Sequence, residues 1–104
     1  MLYVTTPDIP GREIAETLGT VTGNVVQSKH VGRDIMAGLK NIFGGEIRGY
    51  TEMLNEARAT ATQRAIDEAV ALGADAIVNV RFTTSAIMEG ASEIMVYGTA
   101  VKLK

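Results

Sequence analysis

The chain has one histidine, His30, and an aspartate four residues on, Asp34. Imidazole and carboxylate together suit a borderline divalent transition metal such as Zn or Ni. Two donors do not close a metal site, so one built on His30 and Asp34 needs further oxygens. Asp8, Glu46 and Glu89 are the candidates, reaching it at a subunit boundary or on a symmetry axis of a ring. The simpler reading is a solvated loop histidine beside an aspartate placed to complement a helix dipole. There is no cysteine. That excludes a thiolate zinc site, a Cys nucleophile, a CxxC redox centre and a disulfide framework. Met36, Met53, Met88 and Met95 could offer thioether sulfur to a soft metal. They form no MxxM run, and Met is a common gap filler, so they are expected in the core.

Gly44-Gly45 ahead of a helix could cradle an anion on backbone N–H groups. No GxxxxGK[ST] is present and no GxGxxG follows a strand, so a turn needing positive φ explains the pair more simply. Arg58 and Tyr50 lie on a long helix beside its alanine stripe. A guanidinium there calls for a partner, because an unpaired buried charge is costly; an acid on a neighbouring subunit is the expected one. Asn79 and Arg81 are expected on one sheet face, lining a pore or a subunit seam. No serine has a base placed near it, and no pair of carboxylates has a distinctive setting.

These residues sit in a chain of 104 residues, 46% hydrophobic, 21% charged, with a net charge of −2. That is one domain, residues 1–104. The slight acidity argues against a nucleic-acid module held by phosphate contacts, and 5% aromatics argue against base stacking. No basic, apolar leader and no long apolar run is present, so neither export nor a membrane is expected. Cytoplasmic residence is the default.

The elements that must position the candidates follow from periodicity. Leu2-Tyr3-Val4-Thr5 reads as a strand, closed by the turn cluster Thr6-Pro7-Asp8 and Pro10-Gly11. Glu13–Leu18 suits helix or strand about equally; Val21–Ser28 is strand-like, with Gly19 and Gly23 suited to a bend or bulge. Ile35, Met36, Leu39, Ile42 and Phe43 recur at helical spacing. A longer helix runs from about Gly49 to Leu72 and stops at Gly73. Leu54, Ala57, Ala61, Ala65, Ala69 and Leu72 form its narrow stripe, and Ile66, Val70 and Ala59 a second apolar sector that needs cover. Arg64 is expected to pair with Asp67 or Glu68. Alternation then puts Ala76, Val78, Val80 and Phe82 on one strand face and Ile77, Asn79, Arg81 and Thr83 on the other. Glu93–Leu103 is a last strand, apolar on both faces. The order is β–β–α–α–β–β, an α+β fold with a long helix on an antiparallel sheet. Apolar surface on the helix and on the last strand exceeds what one domain buries, so a homo-oligomer is expected.

Gly44-Gly45, Tyr50, Leu54 and Ala57-Arg58 are spaced as in the YbjQ family of small bacterial and archaeal proteins, which this chain resembles. The resemblance extends through Thr5-Thr6-Pro7, Gly19-x-Val21-x-Gly23, Arg33-Asp34-Ile35-x-Ala37-Gly38, Ala71–Val78 and Gly98-Thr99-Ala100-Val101. It implies a dodecin-subunit-like protomer, a homopentameric ring, and a heavy-metal or metalloid-binding description without an established activity. It also implies that Glu13–Leu18 is strand. Two features depart from the pattern: the chain has no cysteine, and Glu46 follows Gly-Gly where a basic residue is usual. The resemblance implies a non-enzymatic ring protein binding metal. The alternatives are small-molecule storage in pockets between subunits, and an enzyme whose site is shared between subunits.

Overall fold

The computed structural model describes residues 1–27, 48–89 and 91–104. Strand β1 is Leu2–Tyr3, β2 Ile14–Gln27, helix α1 Arg48–Ala71, β3 Ala76–Met88 and β4 Ala91–Leu103. The sheet has the order β1-β3-β4-β2. Both β2 and β3 run antiparallel to β4, whereas β1 lies parallel to β3 through Leu2↔Ala76 and Tyr3↔Ile77. The sheet is therefore mixed rather than purely antiparallel. The amphipathic stretch through Phe43 and the Gly44-Gly45 turn lie outside the described residues.

Glu13–Leu18 resolves as strand. From Ile14 the chain pairs with Leu103 and onward along β4, and a register shift at Thr17/Gly19 lets the long strand bend. Gly19 has φ 136°, which a side chain would strain. Gly23 serves a different purpose. A Cβ there would overlap the Ala61 carbonyl oxygen and stand 2.6 Å from the Ala65 backbone nitrogen. The helix backbone thus lies directly on the strand backbone at this point.

Close approach needs small residues on the facing helix stripe. Ala57, Ala61, Ala65 and Ala69 are all buried, the last three packed with Val21, Ile77, Val80, Val96 and Ala100. The expected ends of the stripe, Leu54 and Leu72, stay substantially exposed. Gly73, at φ 78°, ends α1 as anticipated. Its N–H donates to Val70 O at 2.9 Å and that of Ala74 to Ala69 O at 3.0 Å, the paired bonds of a Schellman cap.

The strict alternation expected for β3 fails at one residue. Ala76 and Val78 pack on one sheet face with Ile9 and Val101, while Ile77 and Val80 both face the helix. Asn79 is the cause. It has φ 55° and sits within a register shift between Val78 and Arg81. A bulge adds one residue and shifts every later side chain by one face. Opposite it, Gly98 leaves room: a Cβ there would come within 2.7 Å of the Ile77 side chain.

Among the described residues the second face is covered at one end only. Val4, Ile9 and Ile14 fold back over Ala76, Val78, Val101 and Leu103. The chain ends are tied by Lys104 N–H to Glu13 O at 2.8 Å and Leu103 N–H to Asp75 Oδ2 at 2.9 Å. The ion pair Lys104–Glu13, 3.4 Å long, joins side chains 63% and 72% exposed. Such pairs contribute roughly 0–1 kcal/mol. Glu13→Gln should therefore leave the denaturation midpoint within about 0.5 kcal/mol of wild type, measured by urea titration.

Candidate functional site

The metal reading centres on His30 and Asp34, which lie outside the described residues, as does Glu46. Asp8 and Glu89 are described, and the fold separates them. Asp8 adjoins Ile9, which packs against the Ala76–Val78 end of β3, while Glu89 turns the far end of the β3–β4 hairpin. Thirteen residues of strand lie between these ends, roughly 40 Å at about 3.3 Å per residue. One copy cannot bring both carboxylates to one ion. Among the described residues, no three His, Cys, Asp or Glu side chains converge. Glu93 is committed elsewhere, its Oε2 accepting from Asn24 Nδ2 at 2.9 Å.

Of the four candidate thioethers, Met36 lies outside the described residues. Met53 and Met95 are half-buried; Met88 is 67% exposed, against the expectation of a core methionine. Arg58 is exposed and donates to Asn55 Oδ1 one turn back, so within one protomer it is not a buried charge seeking an acid. Between helix and sheet, Tyr3, Ile66, Ile77 and Val80 line an apolar cleft of about 10 Å³, no more than a single water needs. A small molecule does not fit there.

Two arginines do structural work that sequence spacing did not reveal. Arg64 does not pair with Asp67, which instead accepts from Gln63 Nε2 at 2.9 Å. Its Nη1 reaches the carbonyl of Asn24 on β2 at 2.6 Å. Arg81 Nη1 donates to Thr5 O at 2.8 Å and to Val80 O at 2.9 Å. Val80 N–H donates to Val4 O and Asn79 N–H to Thr6 O, both at 2.9 Å. The N-terminal segment thus covers the outer edge of β3 as far as Val80, and Arg81 seals its end. Asn79 and Arg81 occupy this seam within the protomer. The sequence signal was present but indirect: an Asn, tolerant of positive φ, immediately before an alternating run.

Beyond the seal no described residue pairs with the outer edge of β3. Phe82 is 47% exposed, Ile87 49% and Met88 67% along β3, and Val70 and Leu72 are exposed at the C-terminal end of the helix.

The described residues form a two-layer α+β fold with exposed apolar side chains and without a closed ligand site. The chain belongs to the YbjQ family: the family model, described as "Putative heavy-metal-binding", matches residues 1–104. A UPF0145 protein of Photobacterium profundum is 80% identical over 103 residues, covering 99% of this chain and all of the relative. One from Archaeoglobus fulgidus is 62% identical over 104 residues, covering 100% and 96%. The fold is shared with a Pediococcus pentosaceus protein of unknown function assigned to the DUF74 family, at TM-score 0.67 and 16% identity. That alignment covers 100% of this chain and 98% of the other. Among the described residues no helix is long and apolar enough to cross a membrane.

Proposed function

We propose that this chain is the protomer of a cytoplasmic, homopentameric, dodecin-like ring that binds a divalent transition metal or metalloid and carries out no catalysis. Self-assembly rests on the exposed apolar side chains Phe82, Ile87 and Met88 along β3, with Val70 and Leu72 exposed separately on the helix. The metal part rests on family membership and on the chemistry of His30 with Asp34. Because Asp8 and Glu89 of one copy are held apart, at least one of the remaining donors comes from a neighbouring subunit. Without cysteine the site is a nitrogen–oxygen one, suited to Zn²⁺ or Ni²⁺ over softer ions.

The test is native mass spectrometry with thermal unfolding, on protein titrated with Zn²⁺, Ni²⁺ and Cu²⁺. Binding at a hundredfold excess over Kd stabilises the folded state by about 2.7 kcal/mol, a rise of several degrees in Tm. His30→Ala should abolish that rise while leaving the ring mass unchanged. An unmoved Tm with all three metals, and no metal in the native ion, would refute metal binding. A monomer at micromolar concentration would refute the ring.

A further inference from the structure

The open sheet has two outer edges, and their hydrogen-bonding groups can be assigned. Val80 N–H and C=O point outward from β3, to Val4 and from Arg81. In-plane alternation then points the groups of Phe82, Thr84 and Ala86 outward as well. The assignment checks across the sheet. Arg81 pairs inward with Tyr97, and Val96 faces β2 opposite Gly23. Asn24 must then face out, and that is where Arg64 finds its carbonyl. By the same alternation Thr20, Thr22 and Val26 also face outward on β2.

Free edges are normally guarded by charge, proline or a covering element. Phe82–Met88 reads Phe-Thr-Thr-Ser-Ala-Ile-Met and Thr20–Val26 reads Thr-Val-Thr-Gly-Asn-Val-Val, seven residues each with no charge and no proline. On β2 the described guard is Arg64 at one carbonyl; on β3 the Arg81 seal stops short of Phe82.

We infer that the outer edge of β3 from Phe82 to Met88 takes the outer edge of β2, Thr20–Val26, from a second copy of this chain. The inference rests on the reading of the chain as a ring protomer and names the surface that builds the ring. Each copy carries one of each edge, so the contact is head-to-tail and closes when the rotation between copies divides a full turn. Pairing of β3 with β3 about a two-fold would leave the β2 edge bare. Arg64 must release Asn24 O if pairing runs the full length of the edge, which makes it a brake on association.

Proline tests the edge directly, since it deletes an outward N–H that no ladder bond within the protomer uses. Thr84→Pro and Thr22→Pro should each retain the wild-type far-UV circular dichroism and fall to monomer by native mass spectrometry at micromolar concentration. In the wild-type assembly, amides 82, 84 and 86 should exchange with solvent at least tenfold more slowly than in either variant. A folded Thr84→Pro at wild-type stoichiometry overturns the inference. So does dissociation by Thr84→Pro but not Thr22→Pro, which would assign β3 another occupant. Should proline prevent folding, rapid exchange of those three amides in the wild-type ring overturns it alone. Wild-type protein that is monomeric refutes the ring itself, a different result from a ring that tolerates both prolines.

Discussion

Gly23→Ala should lower stability by about 3 kcal/mol or more, the largest loss expected from any single methyl group in the described structure. Overpacking a core commonly costs about 1–3 kcal/mol, when side chains can turn aside. Here the obstacles are the Ala61 carbonyl and the Ala65 nitrogen, both main-chain atoms of α1. Relief requires lifting the whole helix from the sheet. That would open space around Ala57, Ala61, Ala65 and Ala69, whose methyls are too short to fill it. Domains of this size hold roughly 5–15 kcal/mol in total, so a marginal one would lose much of its folded population. Urea denaturation at fixed protein concentration measures the effect. Thr22→Ala, one residue away with an exposed side chain, should shift the midpoint by less than about 0.5 kcal/mol. Equal losses at both positions would show that the helix does not rest on Gly23.

Asn79→Val should cost about 1–3 kcal/mol, while Asn79→Gly should be neutral or slightly stabilising. The bulge holds Asn79 at φ 55°, where a β-branched side chain is strongly disfavoured and glycine is at ease. The side chain at 79 is exposed, so burial does not explain a difference between the variants. The stake is larger than one residue. If valine forces the strand straight, Val80 turns away from the helix and the N–H bonds from Asn79 to Thr6 and from Val80 to Val4 are lost. The N-terminal segment would then detach from the β3 edge. Hydrogen exchange over residues 2–6 would report it. A valine variant as stable as the glycine variant would refute the strain argument.

These two positions mark where sequence reasoning succeeded and where it stopped. The alanine stripe and the Gly73 terminator were legible because helical periodicity and an αL glycine are local signals. The strand identity of Glu13–Leu18 was not, since apolar spacing there suits either element and pairing with β4 decides it. Gly23 suggested a bulge; its role as a helix seat depends on a contact 38 residues away in sequence. The bulge at Asn79 broke an alternation that otherwise read cleanly, because asparagine accommodates positive φ without demanding it. The parallel docking of β1 and the reach of Arg64 to β2 are tertiary events with no periodicity to announce them. Of the candidate site, the described part was legible mainly in composition, which offers no thiolate; that Asp8 and Glu89 sit at opposite ends of β3 is a tertiary fact no spacing announced.

The seating of a polyalanine stripe on glycine and valine has a consequence for how the protein can hold anything. Among the described residues the largest wholly buried side chains are valines, and helix and sheet meet like two planks one side chain apart. The described cleft between them has room for no more than a single water. In the proposed ring a guest would therefore be held where copies meet, and capacity would scale with the number of joints. Dilution that separates the copies would release the guest with them, making occupancy a readout of protein concentration as well as of ligand concentration.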